Sequence, residues 1–537
     1  MKRIITLILA ALMIVGVSMI AVSCGEEKTP AGTTAAPTAT TTANEPAATK
    51  ENTSGGTPVS TTEQTAEATT GGTTQATPTE TTSGGGTTPS GDGYSKPDMF
   101  LDIDFGGRTF SFVTTNDDDE DRQTSKEIAV ESRTGGTVVQ TAVYDRNQVL
   151  KRLYNCELQA VKGPLSLIEN DVNSGTNEYD FGSAEYLWFM SNKGGYYTNV
   201  YDLDLNMDIE GWNKTLFDQC TVRDKNGKDK LYIFDADFNF ETFRCTWALH
   251  CNLGLYNQNF SESIFDIVRN KEWTIDKMME MVSAVAQDNG DQKWTPGEDI
   301  YGLMTTSHNA FGLITSTGVR TVFFDENHNM STSVDQILSN NAINAIDKCA
   351  ELCAMDGVSI GGYTVNQTAY LAGKTLFMGE LLCFADRVSS EATIDLNTTI
   401  IPEPLYSSET QDKYTTYVNN KGSTFVVSKN ACGGDKKMTA DFLNVLVYHS
   451  HKIVYPEFLL FYGQICCNDE NTPEMIDIIV NGLTYDYSYY GAGGTVMGQL
   501  AEMIHTGKNQ LNRAANSLQR TLQNAINTYV DDMTASE

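Results

Sequence analysis

Carboxylates and aromatic rings gather just past the segments of this chain that read as strands. Glu185, Tyr186 and Trp188 follow the short run Tyr179-Asp180-Phe181, and Trp212 with Asn213 follows Asp202–Leu205. Asp237 follows Leu231–Phe234, and Glu380 follows Thr375–Met378. Trp247, Tyr417 and Tyr490 add rings elsewhere, in a chain with 24 Tyr and 5 Trp. Rings lie well against apolar C–H faces and carboxylates accept from hydroxyls, so this mixture suits a polyhydroxylated solute. Each ring also has an ordinary reading as a core position on an amphipathic segment, and each carboxylate as a solvated or capping group.

Covalent and phosphate chemistry lacks its usual spacing. Neither a GxSxG elbow nor an HExxH pair occurs, and Gly373-Lys374-Thr375 has Thr368 where a P-loop needs its first glycine. CxxC is also absent, so no zinc-site spacing is present. A glycosidase needs only two carboxylates at a suitable separation. A secreted glycan-active hydrolase therefore stands as an alternative, as does a non-transport surface adhesin. The stretch Gln287–Asp299 (QDNGDQKWTPGED) is similar to a calcium loop, with Asn289, Asp291 and Glu298 at the third, fifth and twelfth places. Gln287 then holds the first place, and Gln292 stands where such a loop turns on glycine. The loop is degraded, so no cofactor is expected, with calcium on those three residues as the minor alternative. Asp117–Asp121 (DDDED) reads as a hydrated loop.

The elements that must position these groups alternate. Arg108–Thr114 (RTFSFVT) has the period of a strand, and Thr141–Tyr154 places Val143, Val149, Leu150, Leu153 and Tyr154 near a helical stripe. Tyr179–Phe181 reads as a short buried strand ahead of a helical segment containing Tyr186, Leu187 and Trp188. Further helices are expected over 274–287, 334–355, 437–448, 473–481 and 492–530. Alternation of this kind points to α/β layers joined by crossover connections.

Ahead of this region lie two segments of a different kind. Met1-Lys2-Arg3 opens an apolar run, Ile4–Val22, that has the marks of a secretory signal. Ala21-Val22-Ser23-Cys24 resembles the lipobox of bacterial lipoproteins, which implies a signal peptide over 1–23 and lipid on Cys24. Residues 24–95 are Thr, Ala, Gly, Pro and Ser with scattered Glu and nothing to bury, so a disordered tether is expected. A flexible coil of that length spans roughly 45 Å.

The rest, 96–537, exceeds one ordinary domain, and two lobes are expected. The net charge of −32 and a pI near 4.5 disfavour nucleic acid and anionic headgroups as partners. Of eleven cysteines, setting Cys24 aside leaves ten. That even number permits disulfides outside the cytoplasm, although buried free thiols are the expectation for a chain of this size.

Several ordered stretches resemble extracellular solute-binding proteins of ABC importers, the sugar-binding family 1. Tyr144-Asp145-Arg146-Asn147 with Leu153-Tyr154-Asn155-Cys156 is similar to that family's opening helix and strand. Asp180–Trp188 (DFGSAEYLW), Lys230-Leu231-Tyr232, and Val268–Asp276 (VRNKEWTID) followed by Asp299-Ile300-Tyr301-Gly302 come next in order. Gly373–Phe377, Ile401–Pro404, Gln411 with Tyr414, and Glu474–Ile479 complete the series. The resemblance implies a bilobal periplasmic-binding-protein fold of type II-like build, with crossings near Cys245, Gly422 and Cys466. It also implies Trp273 in the scaffold and a ligand held between the lobes, where residue type makes Glu185, Tyr186, Trp188, Trp212, Asp237, Trp247, Glu380, Tyr417 and Tyr490 the expected carbohydrate contacts. The implied protein is a monomeric, non-enzymatic, lipid-anchored subunit on the outer face of the cell membrane, delivering solute to permease subunits by hinge closure.

Overall fold

The structure, a computed structural model, describes residues 93–115, 124–185, 187, 189–192, 194–490 and 494–535. The expectations for the signal segment, Cys24, the tether to residue 92, the Asp117–Asp121 run, Tyr186 and Trp188 lie outside the described residues. The contacts of Gly85–Glu537 form one unit.

Strand β1 (Arg108–Thr114) buries Phe110, Phe112 and Val113. Beyond it come a short helix α1 (Thr124–Ile128) and the long helix α2 (Val138–Tyr154). A reciprocal pair starts α2: Thr137 Oγ1 accepts from Gln140 N at 3.2 Å, and Gln140 Oε1 accepts from Thr137 N at 3.3 Å. Asn155, at φ +54°, ends α2 in the left-handed region and turns the chain into β2 (Cys156–Lys162). β3 (Phe181–Glu185) completes the first run.

The chain then crosses through α3 (Phe240–Arg244) into a second lobe. That lobe holds β4 (Trp247–Asn252), α4 (Ile275–Val285), β5 (Tyr301–Thr305), α5 (Asn309–Ser316), α6 (Asn340–Cys353), β6 (Val358–Ile360), β7 (Thr375–Leu381), α7 (Phe384–Glu391) and β8 (Thr398–Ile401). The chain returns in β9 (Ser423–Val427), α8 (Lys436–Ile453) and α9 (Tyr455–Leu460). A π-helical stretch, Phe461–Cys466, carries it back to α10 (Thr472–Asn481), α11 (Gly494–His505) and α12 (Leu511–Thr534).

Two sheets result. The first has the order β9-β3-β1-β2, with β1 parallel to β2 and β3, and β9 antiparallel to β3. The second runs β6-β5-β7-β4-β8, parallel across β6, β5 and β7 and antiparallel at β4 and β8. This is a bilobal α/β build with one of these sheets in each lobe. The crossings fall where expected: Thr246 bridges Val418, Asn419 N donates to Cys245 O at 2.8 Å, and the last passage is Phe461–Cys466.

Aromatic packing fixes the first lobe. Phe442 of α8 stacks on Phe110 at 3.6 Å between centroids and lies 5.6 Å from Phe181, which in turn stacks on Phe112 at 4.7 Å. In the second lobe Trp273 is fully buried and donates Nε1–H to Pro402 O at 2.9 Å, a scaffold role as expected.

Two expected helices are broken, each by a cap. Ser339 accepts from Ala342 N at 3.2 Å and starts α6 afresh after a short helix, Val334–Ile337. Gly507, at φ +62°, and Asn509, whose Oδ1 accepts from Leu511 N at 2.9 Å, separate α11 from α12. The strand expected at Tyr179–Phe181 starts later, at Phe181, because Asp180 turns its side chain to Arg108 (2.7 Å), Ser111 N (3.0 Å) and Cys432 N (2.8 Å). The cysteines from Cys156 to Cys467 are free thiols. No helix among the described residues is long and apolar enough to cross a membrane.

Candidate functional site

A cavity of about 190 Å³ opens between the lobes beside the crossings. Its walls come from α1 and α2 of the first lobe, from α3 and the final crossing, and from α7 of the second lobe. Phe240, Phe458, Phe461 and Tyr462 supply rings, while Lys126, Glu127, Arg244 and Asp386 supply charge.

Local sequence fixes each wall. Arg146 of α2 is fully buried, and its Nη2 donates to Glu127 O at 2.9 Å and Ile128 O at 3.0 Å, so it holds α1 in place. Burial lowers the Arg146 guanidinium to about 9, with the Glu127 charge acting against that. Asn239 pins the start of α3: its Nδ2 donates to Asp235 Oδ1 at 2.7 Å and to Ser423 O of β9 at 2.7 Å. Phe240 and Phe458 stack at 5.0 Å, and Phe458 meets Tyr462 at 5.0 Å, giving a continuous ring surface along the crossings. The wide π turn sets Tyr462 toward α3. Such turns interrupt an α-helix at a cost and concentrate at functional sites.

Arg244 is the electrostatic centre. Its Nε donates to Tyr462 Oη at 3.0 Å, Nη1 lies 3.3 Å from Glu241 Oε2, and Nη2 lies 3.3 Å from Asp386 Oδ2. Tyr462 Oη donates onward to Asp386 Oδ2 at 3.3 Å. Burial opposes the Arg244 charge, but Tyr462, Glu241 and Asp386 outweigh it and hold its pKa well above the usual value. Glu127 accepts from Phe240 N at 3.0 Å, and burial, followed by the Glu241 charge, pushes its carboxyl well above the usual range. The lining thus sets two basic residues, Lys126 and Arg244, against two acidic ones, Glu127 and Asp386, so the wall carries both signs in equal number.

The described residues among those named from sequence stand elsewhere. Trp212 is buried beside Phe217 (5.9 Å) and Phe234 (6.4 Å) in the first lobe, and Trp247 is buried at the start of β4. Asp237 Oδ2 lies 2.6 Å from His451 Nδ1. Burial raises the Asp237 carboxyl, and the hydrogen bond to Asp237 raises His451. Glu380 is buried on β7, where Oε1 accepts from Tyr363 Oη at 3.0 Å and Leu381 N at 2.8 Å, and Oε2 accepts from Gln367 Nε2 at 3.2 Å. Glu185 is half-buried at the end of β3.

Tyr417 and Tyr490 are brought together, stacked at 6.0 Å. Tyr489 packs on Tyr417 at 4.5 Å, with Phe189 of the first lobe 6.3 Å from Tyr490 and Phe311 of α5 6.1 Å from Tyr417. These rings seal a second junction between the lobes. Sequence reasoning missed the whole Phe240–Arg244 and Phe458–Tyr462 wall. Its only signal was position, since both runs flank the crossings expected near Cys245 and Cys466.

The calcium-type loop uses its oxygens on its own backbone. Asn289 Oδ1 accepts from Asp291 N at 3.1 Å, and Asp291 Oδ1 accepts from Lys293 N at 2.9 Å. Glu298 is exposed, while buried Asp299 accepts from Asn289 N at 2.9 Å and Thr295 N at 2.6 Å. Gln292 takes the glycine place at φ +64°. Among the described residues no group of three or more His, Cys, Asp or Glu is arranged to hold a metal ion.

No protein-family model matches the chain, and no curated protein matches it. Several solved structures are similar to it. A cyclo/maltodextrin-binding protein complexed with maltotetraose has TM-score 0.48 and 11% identity, covering 78% of this chain and 97% of that one. MalX from Streptococcus pneumoniae in complex with maltopentaose has TM-score 0.46 and 12% identity, covering 78% and 100%. The galacto-N-biose-/lacto-N-biose I-binding protein of the ABC transporter from Bifidobacterium longum has TM-score 0.45 and 12% identity, covering 79% and 98%.

Proposed function

We propose that this protein is a solute-binding subunit of an ABC importer that captures a neutral carbohydrate between its lobes. In this reading lipid on Cys24 moors it to the outer face of the membrane, the tether sets its reach, and permease subunits receive the solute. The observation that carries the reading is the interlobe cavity, whose ring surface and charge-balanced wall suit a molecule with apolar faces and uncharged hydroxyls. At about 190 Å³ it falls below the ~300–1,000 Å³ of most small-molecule sites. It admits one ring-sized unit as it stands, and a longer oligosaccharide enters as the lobes part about the three crossings. Glu185, Tyr186 and Trp188, at and beyond the end of β3, are the sequence candidates that an opening would add. Glu241 and Asp386 are both committed to Arg244, an arrangement for holding rather than for general acid–base cleavage.

A thermal-shift screen over neutral oligosaccharides, with a parallel assay for reducing ends, tests the reading. One sugar should raise Tm in a concentration-dependent way with no reducing ends released. Released ends would point to a hydrolase, and a flat screen to a surface protein without a small solute.

A further inference from the structure

The second lobe holds a compact set of buried polar atoms that make no well-aligned hydrogen bond to protein, with the Asn309 side chain in loose reach of Glu403. They are Trp247 Nε1, both side-chain atoms of Asn309, both carboxyl oxygens of Glu403, and Thr306 Oγ1. Trp247, Asn309 and Glu403 are each at most 1% exposed, and Thr306 is 4% exposed. The set sits at the end of the sheet's three inner strands, where β5 and β7 end and β4 begins.

Glycine lets these side chains approach the backbone. A Cβ on Gly312 would stand 2.6 Å from Asn309 Oδ1, 3.4 Å from Trp247 Cβ and 3.5 Å from Glu403 Oε1. One on Gly379 would stand 2.2 Å from Asn309 Nδ2 and 2.6 Å from Thr305 Oγ1. Both glycines thus let the Asn309 amide lie directly against bare backbone, with Trp247 Cβ and Glu403 Oε1 beside it.

Orphaned polar groups in a protein interior cost more than immobilising a water that satisfies them. We infer that Trp247, Asn309 and Glu403 form an internal hydration site that holds one or two long-lived water molecules. The chemistry is complete for that ligand. Trp247 Nε1–H and Asn309 Nδ2 donate, Asn309 Oδ1 accepts, and Thr306 Oγ1 can do either. Burial pushes Glu403 up to about 8, with Asn309 acting the other way, so at neutral pH this carboxyl offers one donor and one acceptor. Cys349 is the other titratable group close to Glu403.

Water-selective NOE spectroscopy on the tether-bearing chain, with indole nitrogens labelled, tests the site. The Trp247 resonance is assigned by its loss in Trp247→Phe. The expected result is a water cross-peak at Trp247 with the sign of a bound molecule, absent at Trp273, whose Nε1–H already donates to Pro402 O. Glu403→Gln should keep the cross-peak and Glu403→Leu should lose it. If wild-type Trp247 matches Trp273, side chains close the site directly and the inference is overturned. The wild-type measurement decides this even where Glu403→Leu does not fold, and a cross-peak that persists in a folded Glu403→Leu removes Glu403 from the site.

Discussion

Arg244 Nη2 lies 3.3 Å from Asp386 Oδ2, a pair that fastens the first crossing to helix α7 of the second lobe. Tyr462 on the last crossing shares both partners. One guanidinium therefore ties two of the three crossings to one lobe.

Removing Arg244 leaves Glu241 and Asp386 without their cation. Arg244→Met should cost roughly 2–3 kcal/mol in urea unfolding, at the low end for a buried pair because both side chains keep some solvent contact. Asp386→Asn should cost clearly less in the Arg244→Met background than in wild type. Strictly additive costs would mean the pair is uncoupled.

The first lobe depends on Phe442, which is fully buried against Phe110, Phe112 and Phe181. Phe442→Ala should cost about 3–5 kcal/mol, since the sheet cannot collapse into the space. Denaturant unfolding followed by tyrosine and tryptophan fluorescence reads this directly.

At Gly302 a Cβ would meet Val282 Cα at 2.6 Å and Val282 O at 2.7 Å, where α4 lies on β5. Gly302→Ala should destabilise by about 1–3 kcal/mol through overpacking. A neutral result would show that α4 can lift from the sheet.

Glu403 gives a pH signature. Its folded value of about 8 stands above the ordinary 4.5, so folding takes up a proton between those limits. Its contribution is fully present below pH ~4.5 and declines as pH rises to about 8, by at most ~1.4 kcal/mol per unit, with no further change above that. The stability of wild type relative to Glu403→Gln should fall across that window. His250 and His449, held down to about 4 chiefly by burial, act oppositely between pH ~4 and ~6.5 in both proteins and cancel in the difference.

The sequence carried the fold through local patterns. Arg108–Thr114 alternated and Thr141–Tyr154 carried a helical stripe, although the Thr137–Gln140 cap starts that helix earlier, at Val138. Expected continuity was lost where a single Ser339 or Gly507 cap outweighed continuing apolar spacing. The site was less legible. Trp212, Trp247, Tyr417 and Tyr490 have the residue types of a solute surface, but burial depends on contacts far along the chain, such as Tyr490 Oη to Val418 O at 2.7 Å. The cavity wall is assembled from α1, α2, α3, α7 and the last crossing, which are spread over more than three hundred residues of chain, so no short motif announces it.

Isothermal titration calorimetry of the chain with neutral oligosaccharides tests the central claim most directly. The account predicts one saturable site for a neutral sugar, with affinity reduced about tenfold or more, ~1.4 kcal/mol, by Phe461→Ala. Absence of heat with every sugar, or a sugar bound equally well by Phe461→Ala, would contradict it.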